Sequence, residues 1–211
     1  MSKGISANVG ESYQQAKASY VNVNGTWVSF GSLAEVRGFT STTTYTVPAG
    51  CTLIDYVVVG GGGAGSSPDV NNAPGGTGGQ VVATSNVSVK GGEKLIITIG
   101  AGGTTTVGAG ASSLAGSFGT VKALGQAGAG SQTDGTYVPV WGWLGGGGAK
   151  SFRVPQQARI SDKNPRGGGG STSAAWGSIA ASAQSGAPNT GGGGGAGSAP
   201  GGSGFVGIFV R

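Results

Sequence analysis

Apolar runs that end abruptly in glycine constrain this chain more than any other feature. Residues 53–59, LIDYVVV, are followed at once by GGGGAG, and the same change occurs within LIITIGAGG at 95–103. Near the end of the chain the order reverses, because GGSG precedes FVGIFVR. Glycine has no side chain with which to build a core, and it loses more conformational freedom on folding than any other residue. The sequence therefore predicts a few core-forming strands that alternate with long glycine-rich loops.

The composition separates this chain from disordered and collagen-like proteins. Glycine supplies 49 of the 211 residues, and only 9% of the residues are charged. Disordered segments usually combine low hydrophobicity with high charge, whereas here the apolar residues gather in strand-length runs. Glycine also does not recur at every third position, as collagen requires. We therefore expect an all-β fold with a β-sandwich or jelly-roll-like core and long glycine-rich loops.

The first 35 residues are predicted to form a separate attachment segment. Its centre, YVNVNGTWVSF at 20–30, predicts a β-hairpin because Asn-Gly favours the positive φ angles of a tight turn. A lone hairpin is only marginally stable in water, so it should pack on the following domain or, preferably, on another chain. We predict an N-terminal attachment segment at 1–35 and a glycine-rich β domain at 36–211. The side chains that would make this contact are Tyr20, Trp27 and Phe30.

The domain at 36–211 is predicted to contain six strands. The central strand ends in the apolar run VVV at 57–59, which is typical of a strand segment that is buried on both faces. The two strands after it are predicted to pair with each other as a hairpin around KGGE. The last strand is expected to pair beside the central one, and residues 35–38 are expected to be a short connection. The predicted strands are 37–47, 52–59, 80–89, 94–99, 117–124 and 204–211.

The glycine tracts are predicted to bond to one another. Extended helices with three residues per turn can approach closely when they lack side chains, as collagen chains do at their common axis. Backbone N–H and C=O groups of neighbouring segments can then pair. We predict that parts of 60–79, 101–116, 125–149 and 167–203 run as bundled polyglycine II helices. Unstructured loops are the alternative.

Short runs of other residues interrupt the glycine tracts, and the stretch at 137–166 is the richest in aromatic and basic side chains. Tyrosine, tryptophan and arginine dominate recognition hot spots, so this stretch is predicted to be a binding surface at the tip of the bundle. A second interpretation is that Trp141 and Trp143 pack against the bundle as small satellite cores. The candidate binding residues are Tyr137, Trp141, Trp143, Lys150, Phe152, Arg153, Arg159, Lys163 and Arg166.

The sequence argues against catalysis, cofactors and nucleic acid. It contains no histidine and a single cysteine, which removes the usual general base, the imidazole metal ligand and the His-dependent triads. Gly60, Gly62 and Gly65 match a dinucleotide fingerprint, but that motif must open a helix and none is predicted here. The net charge of +5 comes largely from residues 150–166, a patch too sparse for a nucleic-acid groove. We expect no enzymatic activity, no cofactor, no metal and no nucleic-acid partner.

Three stretches of the chain share an ordered set of motifs: a strand ending in GGGGAG, a strand pair ending in GAGG, and a closing apolar strand. They read YTVPAGCTLIDYVVVGGGGAG, GGQVVATSNVSVKGGEKLIITIGAGG and GGSGFVGIFVR. In this order they resemble the glycine-rich domain found in many bacteriophage tail and fibre proteins. The resemblance covers about 37–130 and 201–211, and the variable loops between these ranges are not covered.

Two further features bear on the resemblance. Lys90-Gly91-Gly92 replaces the Pro-Gly that is usual in the family, a change that is compatible with the same turn. The segment YVNVNGTWVSF is similar to short segments that recur in phage tail proteins. A polyglycine II bundle that displays loops is also similar to the tip adhesins of T-even-like long tail fibres, although the two sequences are not alike along their length.

The resemblance implies a virion protein at the tip of a tail or tail fibre. It would be an adhesin that binds a host receptor, either a surface glycan or an outer-membrane protein, through variable loops at about 126–203. The other implied partners are tail or fibre proteins and further copies of the chain, since three-fold symmetry is common in such fibres. With no signal-like apolar run, the chain is expected to be made in the host cytoplasm and carried in the virion. The alternatives are a structural capsid decoration or fibre protein without a specific receptor, and an ice-binding protein.

Overall fold

The computed structural model describes residues 19–23, 26–30, 35–66, 75–104, 108–117, 119, 121–126, 135–138, 141–146, 172–173 and 182–211. Within these ranges all helix or strand structure is β, which confirms the predicted all-β class. The strands are β1 Ser19–Val23, β2 Thr26–Phe30, β3 Glu35–Phe39, β4 Thr43–Thr46, β5 Leu53–Val59, β6 Val81–Ser88, β7 Lys94–Thr98, β8 Ser112–Gly116, β9 Lys122–Gly125, β10 Thr136–Val138, β11 Gly142–Leu144, β12 Thr172–Ser173, β13 Ser182–Ala183 and β14 Phe205–Val210. None of the described residues forms a helix long and apolar enough to cross a membrane.

Two four-stranded antiparallel sheets form the body of the molecule. Sheet I has the strand order β3-β14-β5-β6, and sheet II has the order β4-β7-β8-β9. The C-terminal strand β14 pairs with the central strand β5 along its whole length, from Phe205 opposite Val59 to Val210 opposite Ile54. This confirms the pairing predicted for the end of the chain.

The main core lies between the two sheets. Ile54 and Ile208 of sheet I and Leu95, Ile97 and Leu114 of sheet II belong to one buried cluster, and each is at most 1% exposed. Burying an aliphatic side chain of this size contributes roughly 1.5–3 kcal/mol relative to leaving it exposed. Strand β7 alternates between exposed and buried residues, and its buried residues, Leu95 and Ile97, face this core.

Strand β5 is buried on both faces towards its C-terminal end, as the apolar run at 57–59 predicted. Val58 lies in the main core, whereas Val57 and Val59 lie in a second cluster on the opposite side of sheet I. All three are at most 2% exposed. A third layer must therefore cover the outer face of sheet I.

The predicted hairpin of 80–89 with 94–99 is wrong. Strand β6 pairs with β5 in sheet I, and strand β7 pairs with β4 and β8 in sheet II. The connection at 89–93 crosses from one sheet to the other and is tied to the preceding chain, since Val89 N–H donates to Thr52 O and Val47 N–H to Glu93 O. Alternating hydrophobicity marks a half-buried strand but does not say which neighbour it pairs with.

Three other strand boundaries also differ from the predictions. The single edge strand predicted at 37–47 is two strands, β3 and β4, which lie at the edges of opposite sheets, so residues 35–38 are not a simple connection. The strand predicted at 117–124 begins later, as β9, and pairs with β8, which had been assigned to a glycine loop. Small residues dominate β8, SSLAG, so its strand character depends on buried Leu114 and on its neighbours in the sheet. The structure also has β10 to β13 between 126 and 203, where none of the six predicted strands lies.

The N-terminal hairpin is present as predicted. Strands β1 and β2 pair antiparallel, from Ser19 opposite Phe30 to Val23 opposite Thr26. The two turn positions between them lie outside the described residues, as do the side chains of both strands. The division into an attachment segment at 1–35 and a β domain at 36–211 stays a prediction.

Candidate functional site

The glycine-rich segments that leave the strands lie side by side and bond through their backbones. We call this set of segments the glycine bundle. The segment after strand β5 is central in it, because it exchanges hydrogen bonds with five others. The bundle comprises residues 60–66, 75–80, 100–104, 108–111, 145–146, 184–187, 190–195 and 199–204.

The hydrogen bonds of the central segment repeat every three residues. The N–H groups of Gly60 and Gly63 donate to Gln80 O at 3.0 Å and to Thr77 O at 2.8 Å. Donors three positions apart thus reach acceptors three positions apart on one antiparallel neighbour. A three-residue repeat is that of the polyproline II-type helix, in which each turn brings the same side of the backbone round again.

The same repeat links the central segment to another neighbour and links other pairs of segments. Gly62 and Gly65 donate to Gly202 O and Ala199 O, both at 2.9 Å. No glycine at 60–65 has a positive φ, as this left-handed extended helix requires. The predicted polyglycine II bundle is therefore confirmed for the segments that share this repeat, whereas Gly145 and Gly191 have positive φ and depart from that helix. The further pairs are Gly76 and Gly79 with Gly194 and Gly191, and Gly201 and Gly204 with Gly103 and Gly100.

Glycine is required in the bundle because neighbouring backbones occupy the space of a side chain. A Cβ added at Gly62 would lie 2.1 Å from Gly192 O, and one added at Gly65 would lie 2.0 Å from Gly195 O. Both oxygens belong to the backbone, so neither can move aside as a flexible side chain could. The bundle is thus close-packed.

A short hairpin, β10–β11, covers the outer face of sheet I beside the bundle. Its Val138 and Leu144 are buried, and they join Val57, Val59 and Phe205 in the second hydrophobic cluster. The strands pair antiparallel through three positions. The hairpin also leads into the bundle, because Gly145 N–H donates to Thr190 O at 2.7 Å.

Trp141 fixes this hairpin to a glycine floor on sheet I. Gly207 of β14 and Gly38 of β3 are register partners, and a Cβ at Gly207 would lie 2.6 Å from the indole Cε2 atom. The indole also packs at an inclined angle on Phe205, with ring centroids 4.8 Å apart, and edge-on to Phe209 at 6.0 Å. Its Nε1 atom is buried without a hydrogen-bond partner among the described residues. The indole of Trp141 therefore contacts sheet I by van der Waals packing on the glycine backbone and on neighbouring aromatic rings.

Tyr137 projects from the opposite side of the same hairpin. It is 59% exposed, whereas the next residue, Val138, is 8% exposed. Alternate residues of a strand face opposite sides, so burial of Val138 directs Tyr137 outwards. Its register partner is Trp143, whose side chain lies outside the described residues. The β10–β11 hairpin, which packs on sheet I, therefore presents Tyr137 as an exposed side chain.

The structure places only some of the predicted site residues. Tyr137 is exposed on β10. Trp141 packs against sheet I, whereas the second interpretation placed it against the bundle. The side chains of Tyr20 and Phe30 on the N-terminal hairpin, and of Trp27 between them, lie outside the described residues. So do Lys150, Phe152, Arg153, Arg159, Lys163 and Arg166 in full.

Sequence reasoning missed the glycine floor. Gly207 interrupts the apolar run FVGIFV, and an isolated glycine inside a strand often marks a close approach of another part of the chain. The same reasoning applies to Gly38 in EVRGF. These interruptions were the available signal, and they place the contact surface for Trp141.

No group of three or more Cys, Asp or Glu side chains among the described residues could hold a metal ion. Cys51, the one cysteine of the chain, is buried. The two carboxylates with described side-chain contacts, Asp55 and Glu93, have different partners. Asp55 binds Arg211 and the backbone N–H of Asn86, and Glu93 accepts a hydrogen bond from the Lys90 backbone.

The architecture defines a β-sandwich whose loops are organised by a polyglycine bundle. The model of the glycine-rich domain family matches residues 38–151, which is more than half of the chain. This protein therefore belongs to the glycine-rich domain family. The matched range begins at the glycine floor and includes the hairpin that carries Tyr137. No curated protein matches the chain.

Proposed function

We propose that this protein is a phage virion component at the tip of a tail or tail fibre, where it binds a receptor on the host cell surface. The observation that carries this proposal is the exposed Tyr137 on a hairpin that Trp141 fixes to sheet I. The resemblance of the strand motifs to phage tail and fibre proteins supplies the virion setting. Family membership supports the glycine-rich domain alone.

A rigid platform suits recognition for an energetic reason. Ordering an interface loop on binding costs about 0.5–1.5 kcal/mol for each immobilised side chain. Tyrosine adds a large contact area and a hydroxyl group at a low cost in conformational entropy. A hairpin that is already ordered can thus use most of its contact energy for binding.

The segment that follows the hairpin would extend the contact surface. Residues 150–166 carry five cationic side chains and one carboxylate, a balance that favours an anionic surface such as the phosphate groups of lipopolysaccharide. The receptor would be a surface glycan or an outer-membrane protein. Attachment to other tail or fibre proteins would use Tyr20, Trp27 and Phe30, and assembly as a homo-oligomer would multiply weak contacts.

The first test is adsorption of virions that carry a Tyr137→Ala variant. We expect the adsorption rate to fall at least about fivefold, since hot-spot tyrosines contribute more than 1 kcal/mol to binding. Ser85→Ala is the matched control, because Ser85 is exposed on β6, away from the hairpin, and it should adsorb normally.

A second variant, in which residues 150–166 are replaced by a Gly-Ser linker, separates the two recognition elements. Unchanged adsorption with both this variant and Tyr137→Ala would contradict the receptor-binding proposal. If such virions were instead less stable to heat, the protein would be a structural decoration or fibre protein.

A further inference from the structure

The two outer faces of the sandwich differ in how they are covered. The hairpin β10–β11 covers sheet I, whereas the outer face of sheet II carries exposed side chains on strands β4, β7, β8 and β9. Ile96 and Leu124 are 54% and 53% exposed on this face. The exposed residues that define it are Thr44, Lys94, Ile96, Thr98, Lys122 and Leu124.

Strand register brings these residues into neighbouring rows. Thr44 lies opposite Ile96, which lies opposite Ala115, which in turn lies opposite Lys122. Thr98 is linked in the same way through Ser113 to Leu124. The face therefore alternates hydroxyl groups, aliphatic side chains and ammonium groups.

The face is cationic, and nothing on its strands opposes that charge. Lys94 and Lys122 are exposed, and strands β4, β7, β8 and β9 contain no carboxylate. The two lysines lie on strands two apart and one side-chain row apart, so their Cα atoms are roughly 12 Å from each other. Charge complementarity therefore favours a ligand with repeated anionic groups.

Size and composition select among anionic ligands. Four strands and five residues of strand length give a face of roughly 300 Å², well below the ~800 Å² that each partner buries in a standard protein interface. Tyr45, the one aromatic residue of these strands, packs against the main core, so no aromatic side chain stacks outward. Proteins that bind single-stranded nucleic acids usually stack the bases on exposed aromatic side chains, and these strands present none. A linear sugar polymer fits the face better than a folded protein or a nucleic acid.

We propose that the outer face of sheet II binds an acidic polysaccharide. The ammonium groups of Lys94 and Lys122 contact carboxylates on the sugar rings, and the hydroxyl group of Thr98 exchanges hydrogen bonds with sugar hydroxyls. Ile96 and Leu124 pack against the C–H faces of the rings. This site lies on the opposite sheet from Tyr137 and does not rest on the proposed receptor contact.

The test measures binding of the purified full chain to oligogalacturonate of about ten sugars at low ionic strength, where surface charges are least screened. We expect binding that neutral dextran of equal length does not show. Lys94→Gln and Lys122→Gln should each weaken it about threefold to tenfold. Lys90→Gln is the matched control, because it removes the same charge from an exposed position in the turn beside this sheet. This substitution should change the affinity less than twofold.

The outcomes separate a site from a general charge effect. Equal weakening by all three substitutions would overturn the proposal, because it would mean that net charge alone sets the affinity. Absence of oligogalacturonate binding would overturn it as well. Tighter binding of polyglutamate or of oligothymidylate would replace the polysaccharide with a protein or nucleic-acid ligand. Ile96→Ser with Leu124→Ser should weaken binding of oligogalacturonate without affecting Lys-dependent salt sensitivity, and no effect of this pair would contradict the ring contacts.

Discussion

At the residue scale, the glycines of this protein fall into two groups with different physical roles. A Cβ at Gly62 or Gly78 would meet a backbone carbonyl oxygen of another segment at 2.1 or 1.8 Å. Gly108, by contrast, faces open space and has no positive φ. The sequence has glycine at all of these positions. Their roles differ because they depend on neighbouring segments that are remote along the chain.

This distinction predicts opposite results for two identical substitutions. Gly62→Ala should lower the free energy of unfolding by about 3 kcal/mol, because the new methyl group overlaps Gly192 O and displaces a bonded segment. Gly108→Ala should change it by no more than about 0.5 kcal/mol. Chemical denaturation of the two variants measures the difference, and equal effects would show that the bundle does not have this close contact.

At the element scale, hydrophobic pattern predicted which segments are strands better than it predicted how they pair. Burial of β5 on both faces at residues 57–59 could be predicted because these three residues are continuously apolar, and the pairing of β5 with β14 was predicted as well. The partners of β6 and β7 could not, since Val89 and Glu93 belong to a connection that crosses between sheets. The hairpin β10–β11 was missed as a pair of strands, because its three-residue strands are stabilised by contacts with sheet I and have little local pattern.

Docking of that hairpin should depend on Trp141 and Gly207 together. Trp141→Ala should cost about 3 kcal/mol through loss of buried aromatic surface, and Gly207→Ala should cost about 1–3 kcal/mol through steric overlap. In the Trp141→Ala background, Gly207→Ala should cost almost nothing, since the overlapping ring has gone. A double-mutant cycle measures this coupling, and additive effects would contradict the glycine floor.

At the scale of the whole molecule, two kinds of interior stabilise one fold. The sandwich buries aliphatic side chains between its sheets, and the bundle satisfies backbone groups with almost no side chains. They are continuous, because the central segment begins directly after Val59 and the last segment ends directly before Phe205. The tendency of glycine tracts to bundle could be predicted from composition and spacing. Which segments are neighbours could not, since identical glycines carry no information about partners.

The central claim is that backbone hydrogen bonds between glycine segments rigidify the platform on which Tyr137 is displayed. Residue-resolved amide hydrogen exchange tests it directly, because the N–H groups of Gly62, Gly65 and Gly202 donate to other segments at 2.9, 2.9 and 2.7 Å. We predict that these amides exchange within about tenfold of those in strand β5, as members of one cooperative unit do. Exchange at the rate of an unstructured peptide at these three glycines, with strand β5 still protected, would contradict the claim.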